Sequence, residues 1–369
     1  MTIRIAHFID TQNKGGAEVT LMDLAIYQKN AGHDVFIYHH NNAYINELCN
    51  LHKIKSLPIP SHKHYKHTYT LPLYSIAFAR SLNKYNIEVL HSHLFGPITG
   101  NALAAKLSGT RHIGTLHDIY MIEEKPSRIK LLLLSYKLGT QLVCVSKDMA
   151  IFYQQRLAIN ANKITTIYNA AMARNAPDEE TKQAIYKRYA INKNNIIIAT
   201  VGRLVPLKRI DWIIDALGAI DKQLLDQVSL LIIGDGPENK SLLKLAEGAL
   251  SGNIIFTGEI ENVSDLLNMS DIYVQFSNTE GLSRSIIEAL ACRLPCVVSD
   301  VGGNRELVLH NKNGFTIPAS NRKQLSKNLS SLIRDKDLRK NFGSESLHHF
   351  KKNFNFDDFQ INYLNIYKK

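Results

Sequence analysis

Four ionisable side chains in the second half of the chain have the types and spacing for handling a charged ligand: Arg203, Lys208, Glu280 and Glu288. The first two lie in Gly202-Arg203-Leu204-Val205-Pro206-Leu207-Lys208, directly after the apolar run 196–201. A guanidinium can grip phosphate oxygens at two points, and a lysine adds a mobile point charge. The pair suits a diphosphate whose charge grows as it departs; two solvated cations in a turn is the competing reading. The glutamates lie in Asn278-Thr279-Glu280-Gly281-Leu282-Ser283-Arg284-Ser285-Ile286-Ile287-Glu288. A carboxylate can accept hydrogen bonds from two neighbouring hydroxyls, so Glu280 suits a hexose and Glu288 a ribose. The amides of Gly281, Leu282 and Ser283, at a helix start, could meet an anion or sugar hydroxyls. Against this, Ser285-x-x-Glu288 is a capping-box pattern, and from spacing alone the cap is the stronger reading.

Glycine turns surround these residues. Gly234-Asp235-Gly236-Pro237 follows a strand-like run and makes a tight turn with space beside it, but does not match the G-x-G-x-x-G dinucleotide pattern. Ser299-Asp300-Val301-Gly302-Gly303 either supports a cleft or simply turns the chain. In the first half, Gly15-Gly16-Ala17-Glu18 opens a helix, where free amides and a dipole end can hold an anion; an ordinary turn explains it equally well. His91 and His93 share one face of a strand end, and His117-Asp118 ends another strand. His62, His64 and His67 resemble a metal set but lack acidic or cysteine partners, which favours a solvated loop.

The elements that must position these groups alternate along the chain. Strand-like runs at 3–9, 34–39, 89–93, 111–116 and 141–145 are separated by helical spacing at 17–30, 73–84, 100–108 and 129–138. The pattern lapses at about 170–195 and restarts with strands at 196–201, 228–233, 254–257, 272–275, 296–299 and 314–317. Such alternation implies parallel β-α-β units, hence an α/β fold of two doubly wound sheets with ligands at the carboxyl ends of the strands. The expected division is residues 1–172, a linker at 173–195, a second domain at 196–350 and a terminal amphipathic helix within 351–369.

Size and composition narrow the class. The chain has 369 residues, no apolar run approaching about 20 residues, and an N-terminus unlike a signal peptide. The cytoplasm is therefore expected. Four cysteines without a C-x-x-C pair read as buried spectators. A net charge of +11 favours phosphorylated ligands or an anionic membrane over nucleic acid, for which no recognition motif is present. Residues 128–137, Arg-Ile-Lys-Leu-Leu-Leu-Leu-Ser-Tyr-Lys, mix basic and apolar residues; four consecutive leucines favour a core helix over a lipid-facing one.

Taken together, Gly15-Gly16-Ala17-Glu18, His117-Asp118, Ser146-Lys147, Gly202-Arg203-Leu204 with Lys208, Gly234-Asp235-Gly236-Pro237 and the E-x7-E from Glu280 to Glu288 resemble glycosyltransferase family 4. The resemblance implies a GT-B fold, two Rossmann-like domains facing across a cleft, with the C-terminal helix returning to the first. It implies a retaining transfer of sugar from a nucleotide-diphosphate donor, a UDP-sugar by preference, to a glycan or lipid-linked acceptor. Arg203 and Lys208 would hold the diphosphate, Glu288 the ribose and Glu280 the sugar. Gly15, Gly16, Gly202, Gly234 and the Gly281–Ser283 amides would lie against the donor, with His117 near the sugar. No cofactor or metal is implied, since the two cations replace it. The run Leu282-Ser283-Arg284 departs from the family's usual residues, leaving Arg284 as either a surface residue or a contact to an acidic sugar. A nucleotide-sugar 2-epimerase and a non-catalytic nucleotide-sugar-binding partner are the rival readings. A peripheral place at the inner face of the cell membrane, on anionic lipid, suits the charge.

Overall fold

The computed structural model describes residues 2–12, 14–60, 65, 69–249 and 254–368. His62, His64 and His67 lie outside the described residues. The chain forms two compact units, one comprising Met1–Asn169 with Asp357–Lys369, the other Ala170–Phe356.

The first unit is built on a seven-stranded parallel sheet. Its strands are β1 (Arg4–Phe8), β2 (Asp34–His39), β3 (Lys55–Pro58), β4 (Val89–His93), β5 (Arg111–Leu116), β6 (Gln141–Cys144) and β7 (Ile164–Thr166). Their order is β3-β2-β1-β4-β5-β6-β7. Successive residues of a strand face opposite sides, and the core divides accordingly. Ala6, Phe8 and Tyr38 pack with Tyr74, Phe78 and Leu82 of the helix Leu71–Lys84. Val35 and Ile37 pack with Leu21, Met22 and Ala25 of the helix Gly16–Asn30. The last helix, Phe356–Lys368, buries Phe359, Tyr363, Ile366 and Tyr367, a spacing that makes one apolar stripe. Through Tyr363 and Tyr367 it is anchored to this unit, bonding Thr115 and His91 of the sheet and Gln28 of the helix Gly16–Asn30.

The second unit has a six-stranded parallel sheet: β8 (Ile196–Val201), β9 (Val228–Ile233), β10 (Ile254–Gly258), β11 (Ile272–Gln275), β12 (Cys296–Ser299) and β13 (Gly314–Ile317). The order is β10-β9-β8-β11-β12-β13. Ile213, Ile214 and Leu217 of the helix Ile210–Gly218, with Leu329 and Leu332 of Arg322–Arg334, cover Ile198, Leu230, Ile232, Val274 and Val297.

Eleven of these thirteen strands coincide with runs read from the sequence. The other two, β3 and β7, have few apolar residues and sit at the sheet's edges. The stretch expected as a linker falls in the second unit and carries an unburied helix, Glu179–Arg188, capped by Asp178. All four cysteines are free; three are buried and Cys292 is half-buried. No helix among the described residues is long and apolar enough to cross a membrane.

Candidate active site

In the second unit the strand order reverses direction between β8 and β11, the place where doubly wound sheets leave a crevice for ligands. The loops leaving these two strands touch, the Asn278 amide donating to the Leu207 carbonyl at 2.9 Å. Across this point Lys208 Nζ donates to Glu280 Oε1 at 2.5 Å. The lysine side chain is 25% exposed and the carboxylate 10%. Two charges this enclosed depend on each other, because removing one leaves the other poorly solvated. Arg203, on the same loop, is exposed, and its guanidinium has no protein partner among the described residues.

A residue that the sequence reading passed over organises the carboxylate. Gln275, buried at the end of β11, donates through Nε2 to Glu280 Oε1 at 2.9 Å. Its Oε1 receives the hydroxyls of Tyr273, Ser283 and Ser285, each at 2.9 Å. The signal was available: a glutamine closing the otherwise apolar run Ile-Tyr-Val-Gln must find partners when buried. Burial raises the Tyr273 pKa above the usual tyrosine range, with both Glu280 and Glu288 adding to the effect.

The capping-box reading of Glu288 is overturned. The helix runs Arg284–Ala291 with Ser283 at its N-cap, and no side chain caps it. Ser285 bonds to Gln275 instead, and Glu288 Oε1 accepts from Arg284 Nε at 2.9 Å, one helical turn away. Arg284 also reaches the Ala170 carbonyl at 3.4 Å and is 13% exposed, so it is no surface residue.

The glycines divide by job. Gly302 has φ +49°, and a Cβ there would lie 1.8 Å from the Glu280 carbonyl oxygen; its neighbour Gly303 donates to the Gly281 carbonyl at 3.0 Å. The Ser299–Gly303 turn therefore supports the backbone that carries Glu280. Gly234, at φ +131°, faces the Gly202 carbonyl oxygen, which a Cβ would approach to 2.1 Å. The space expected beside that turn is filled by backbone, closing the β9 loop on the β8 loop. Gly202 is half-buried, and its amide donates to the Ile233 carbonyl at 3.0 Å. Leu282 and Ser283 are buried.

In the first unit, Gly15 is the N-cap of the helix starting at Gly16, and the buried Glu18 stands in its first turn, accepting a hydrogen bond from Thr11 at 2.5 Å. This carboxylate already occupies part of the positive helix end. His7, His91, His93 and His117 form one cluster at the carboxyl half of β1, β4 and β5. His7 bonds to His93 at 3.2 Å, and His93 to His117 at 3.3 Å. Desolvation pushes His7 and His117 down to about 4, and His91 and His93 well below the ordinary value. His7, His91 and His93 are close enough for a metal ion. Yet every ring nitrogen of the three already has a hydrogen-bond partner. The residue after His93, Leu94, sits at φ 73° and ψ 159°, a region nearly confined to glycine and strained for a leucine.

Two Rossmann-type sheets carrying these loops define the class as GT-B. The structure matches Anabaena Alr3699/HepE in complex with UDP with a TM-score of 0.86, 19% identity and 99% coverage of both chains, a likeness of fold. The chain belongs to glycosyltransferase family 4: the family model "Glycosyltransferase Family 4" matches residues 14–171 and "Glycosyl transferases group 1" matches residues 181–349. Similar characterised proteins include the N-acetyl-alpha-D-glucosaminyl L-malate synthase of Bacillus anthracis, 26% identical over 80% of this chain and 79% of that one. Another is the UDP-Gal:alpha-D-GlcNAc-diphosphoundecaprenol alpha-1,3-galactosyltransferase of Escherichia coli, 26% identical over 66% of this chain and 65% of that one. The chain is thus a glycosyltransferase, and the epimerase reading is not favoured.

Proposed function

We propose that this enzyme transfers a hexose from a UDP-sugar to a glycan or lipid-linked acceptor, with retention and without a metal, as in bacterial surface polysaccharide or lipopolysaccharide synthesis. The Lys208–Glu280 pair at the switch point carries the reading. Arg203, unengaged by protein among the described residues, and Lys208 supply the positive charge that a departing diphosphate needs. Glu280 is tied to Lys208 and Gln275, which suits a sugar-binding carboxylate better than a free nucleophile. Departure and attack then occur on one face, with the donor phosphate taking the acceptor's proton. Glu288, held by Arg284, is read as the ribose ligand, and His117 as the first unit's contact to the sugar. The UDP complex of the Anabaena protein and the lipid-linked substrate named for the Escherichia coli enzyme support the donor and acceptor classes.

The acceptor side also supports a peripheral place on anionic membrane. The helix Ile129–Lys137 buries Leu132 but exposes Leu131 and Leu134 beside the exposed Lys130 and Lys137. Half of the core-helix expectation therefore fails, and apolar plus basic side chains together suit anionic lipid. The test is to incubate the chain with UDP-hexoses, chelator and anionic vesicles carrying membrane extract. Acceptor-dependent, chelator-insensitive transfer into floated vesicles is expected. Sugar interconversion without acceptor, or donor binding without transfer, would contradict the reading.

A further inference from the structure

The buried histidines of the first unit are linked end to end. Gln28 Oε1 meets His7 Nε2 at 2.8 Å, His7 Nδ1 meets His93 Nε2, and His93 Nδ1 meets His117 Nε2. Gln28 Nε2 donates to Tyr367 Oη at 3.5 Å, and Tyr367 meets His91 Nδ1 at 2.6 Å. His91 Nε2 meets Thr115 Oγ1 at 2.7 Å. Gln28, His7, His91 and Thr115 are fully buried and His93 is 1% exposed, so solvent is kept from the links up to His93, while His117 at the end is half-buried.

A neutral imidazole has one N–H and one lone pair, on opposite ring nitrogens. Each link needs one donor and one acceptor. The three rings in series therefore have only two consistent arrangements: all carry the proton on Nε2, or all on Nδ1. The amide of Gln28 chooses between them. With its oxygen toward His7 and its nitrogen toward Tyr367, His7 must donate from Nε2, so His93 and His117 do the same. Tyr367 then donates to His91, which donates to Thr115; the turned amide would satisfy the same groups with every proton shifted, so the orientation of Gln28 alone sets the tautomer. His117 Nδ1, which has no protein partner among the described residues, is left as a lone pair.

We propose that Gln28 is a positioning residue that, through His7 and His93, holds His117 as the Nε2–H tautomer, so that His117 accepts a hydrogen bond from a donor-sugar hydroxyl at Nδ1. The sugar contact rests on the reading of His117 above; the tautomer relay does not. Gln28 lies in the helix Gly16–Asn30 and Tyr367 in the C-terminal helix, so both helices help to define the state of His117.

Long-range proton–nitrogen spectra of the full chain with 15N-labelled histidine, near neutral pH and without substrate, test this. His7, His93 and His117 are expected to share the Nε2–H form. In Gln28→Met, of similar volume and unable to choose, His117 becomes a mixture of tautomers, and kcat/KM for sugar transfer falls by about three- to tenfold, the scale of one hydrogen bond. Tyr367→Phe, which frees the Gln28 amide, gives the same mixture. Wild-type rings that differ in tautomer or share Nδ1–H would overturn the relay, as would a His117 unmoved by both substitutions. Expected tautomers in a chain whose transfer rate ignores their mixing would instead overturn the sugar contact alone.

Discussion

Among the residues of the second unit, the two glutamates are distinguished by their partners. Glu280 is held by a lysine and a buried glutamine, and Glu288 by an arginine one helical turn before it. A capping glutamate could be replaced by glutamine at little cost, since glutamine also fills that role. A ribose ligand could not, because the amide loses one of the two acceptor oxygens. Glu288→Gln is therefore expected to raise the donor KM by about tenfold, the scale of one hydrogen bond to a charged group. Its melting temperature should stay within a few degrees of wild type. Unchanged kinetics would return Glu288 to a structural role. The residue types at 203, 208, 280 and 288 were legible in the sequence; the partner of each was not. The capping-box reading failed because spacing along a helix cannot show that Ser285 turns toward Gln275 on another element.

Elements place these side chains by backbone contact as much as by packing. Most strands were legible because burial on both faces demands continuous apolar runs such as Ile196–Val201. The edge strands β3 and β7 were not, since an edge needs fewer apolar residues. Nor was the support for Glu280, because a glycine pair in sequence looks the same whether it turns the chain or admits another backbone. Gly302 does both. Gly302→Ala adds a Cβ against the Glu280 carbonyl and keeps a left-handed φ that alanine resists, a strain on the order of 1 kcal/mol before the clash is counted. The variant should lose several degrees in melting temperature and most of its transfer rate. The same substitution at Gly258, where φ is +70° and nothing lies within 4 Å, should cost stability alone. Equal loss of activity in both would contradict a specific support of Glu280.

At the scale of the whole molecule, the first unit carries an internal pH limit. His7, His91, His93 and His112 are buried and stay neutral, with His7 lowered to about 4 and His112 to about 3 by desolvation. In the unfolded chain they titrate near the ordinary 6.5. Their folded pKa is depressed, so the unfolded state binds more protons below that value. Stability is fully present above about pH 6.5 and falls toward pH 4, each histidine steepening the loss by up to about 1.4 kcal/mol per pH unit. Urea unfolding across this range should show proton uptake of several equivalents; a flat profile would mean that these rings are charged or solvated in the folded chain.

The switch-point pair is where fold and chemistry meet, and calorimetric titration of UDP into the wild type and into Lys208→Ala tests it most directly. Loss of the lysine should weaken UDP binding by one to two orders of magnitude, as expected for removing a charge-assisted contact to phosphate, with the second unit still folded. UDP affinity that is the same in both proteins would contradict a diphosphate site beside Lys208 and Glu280.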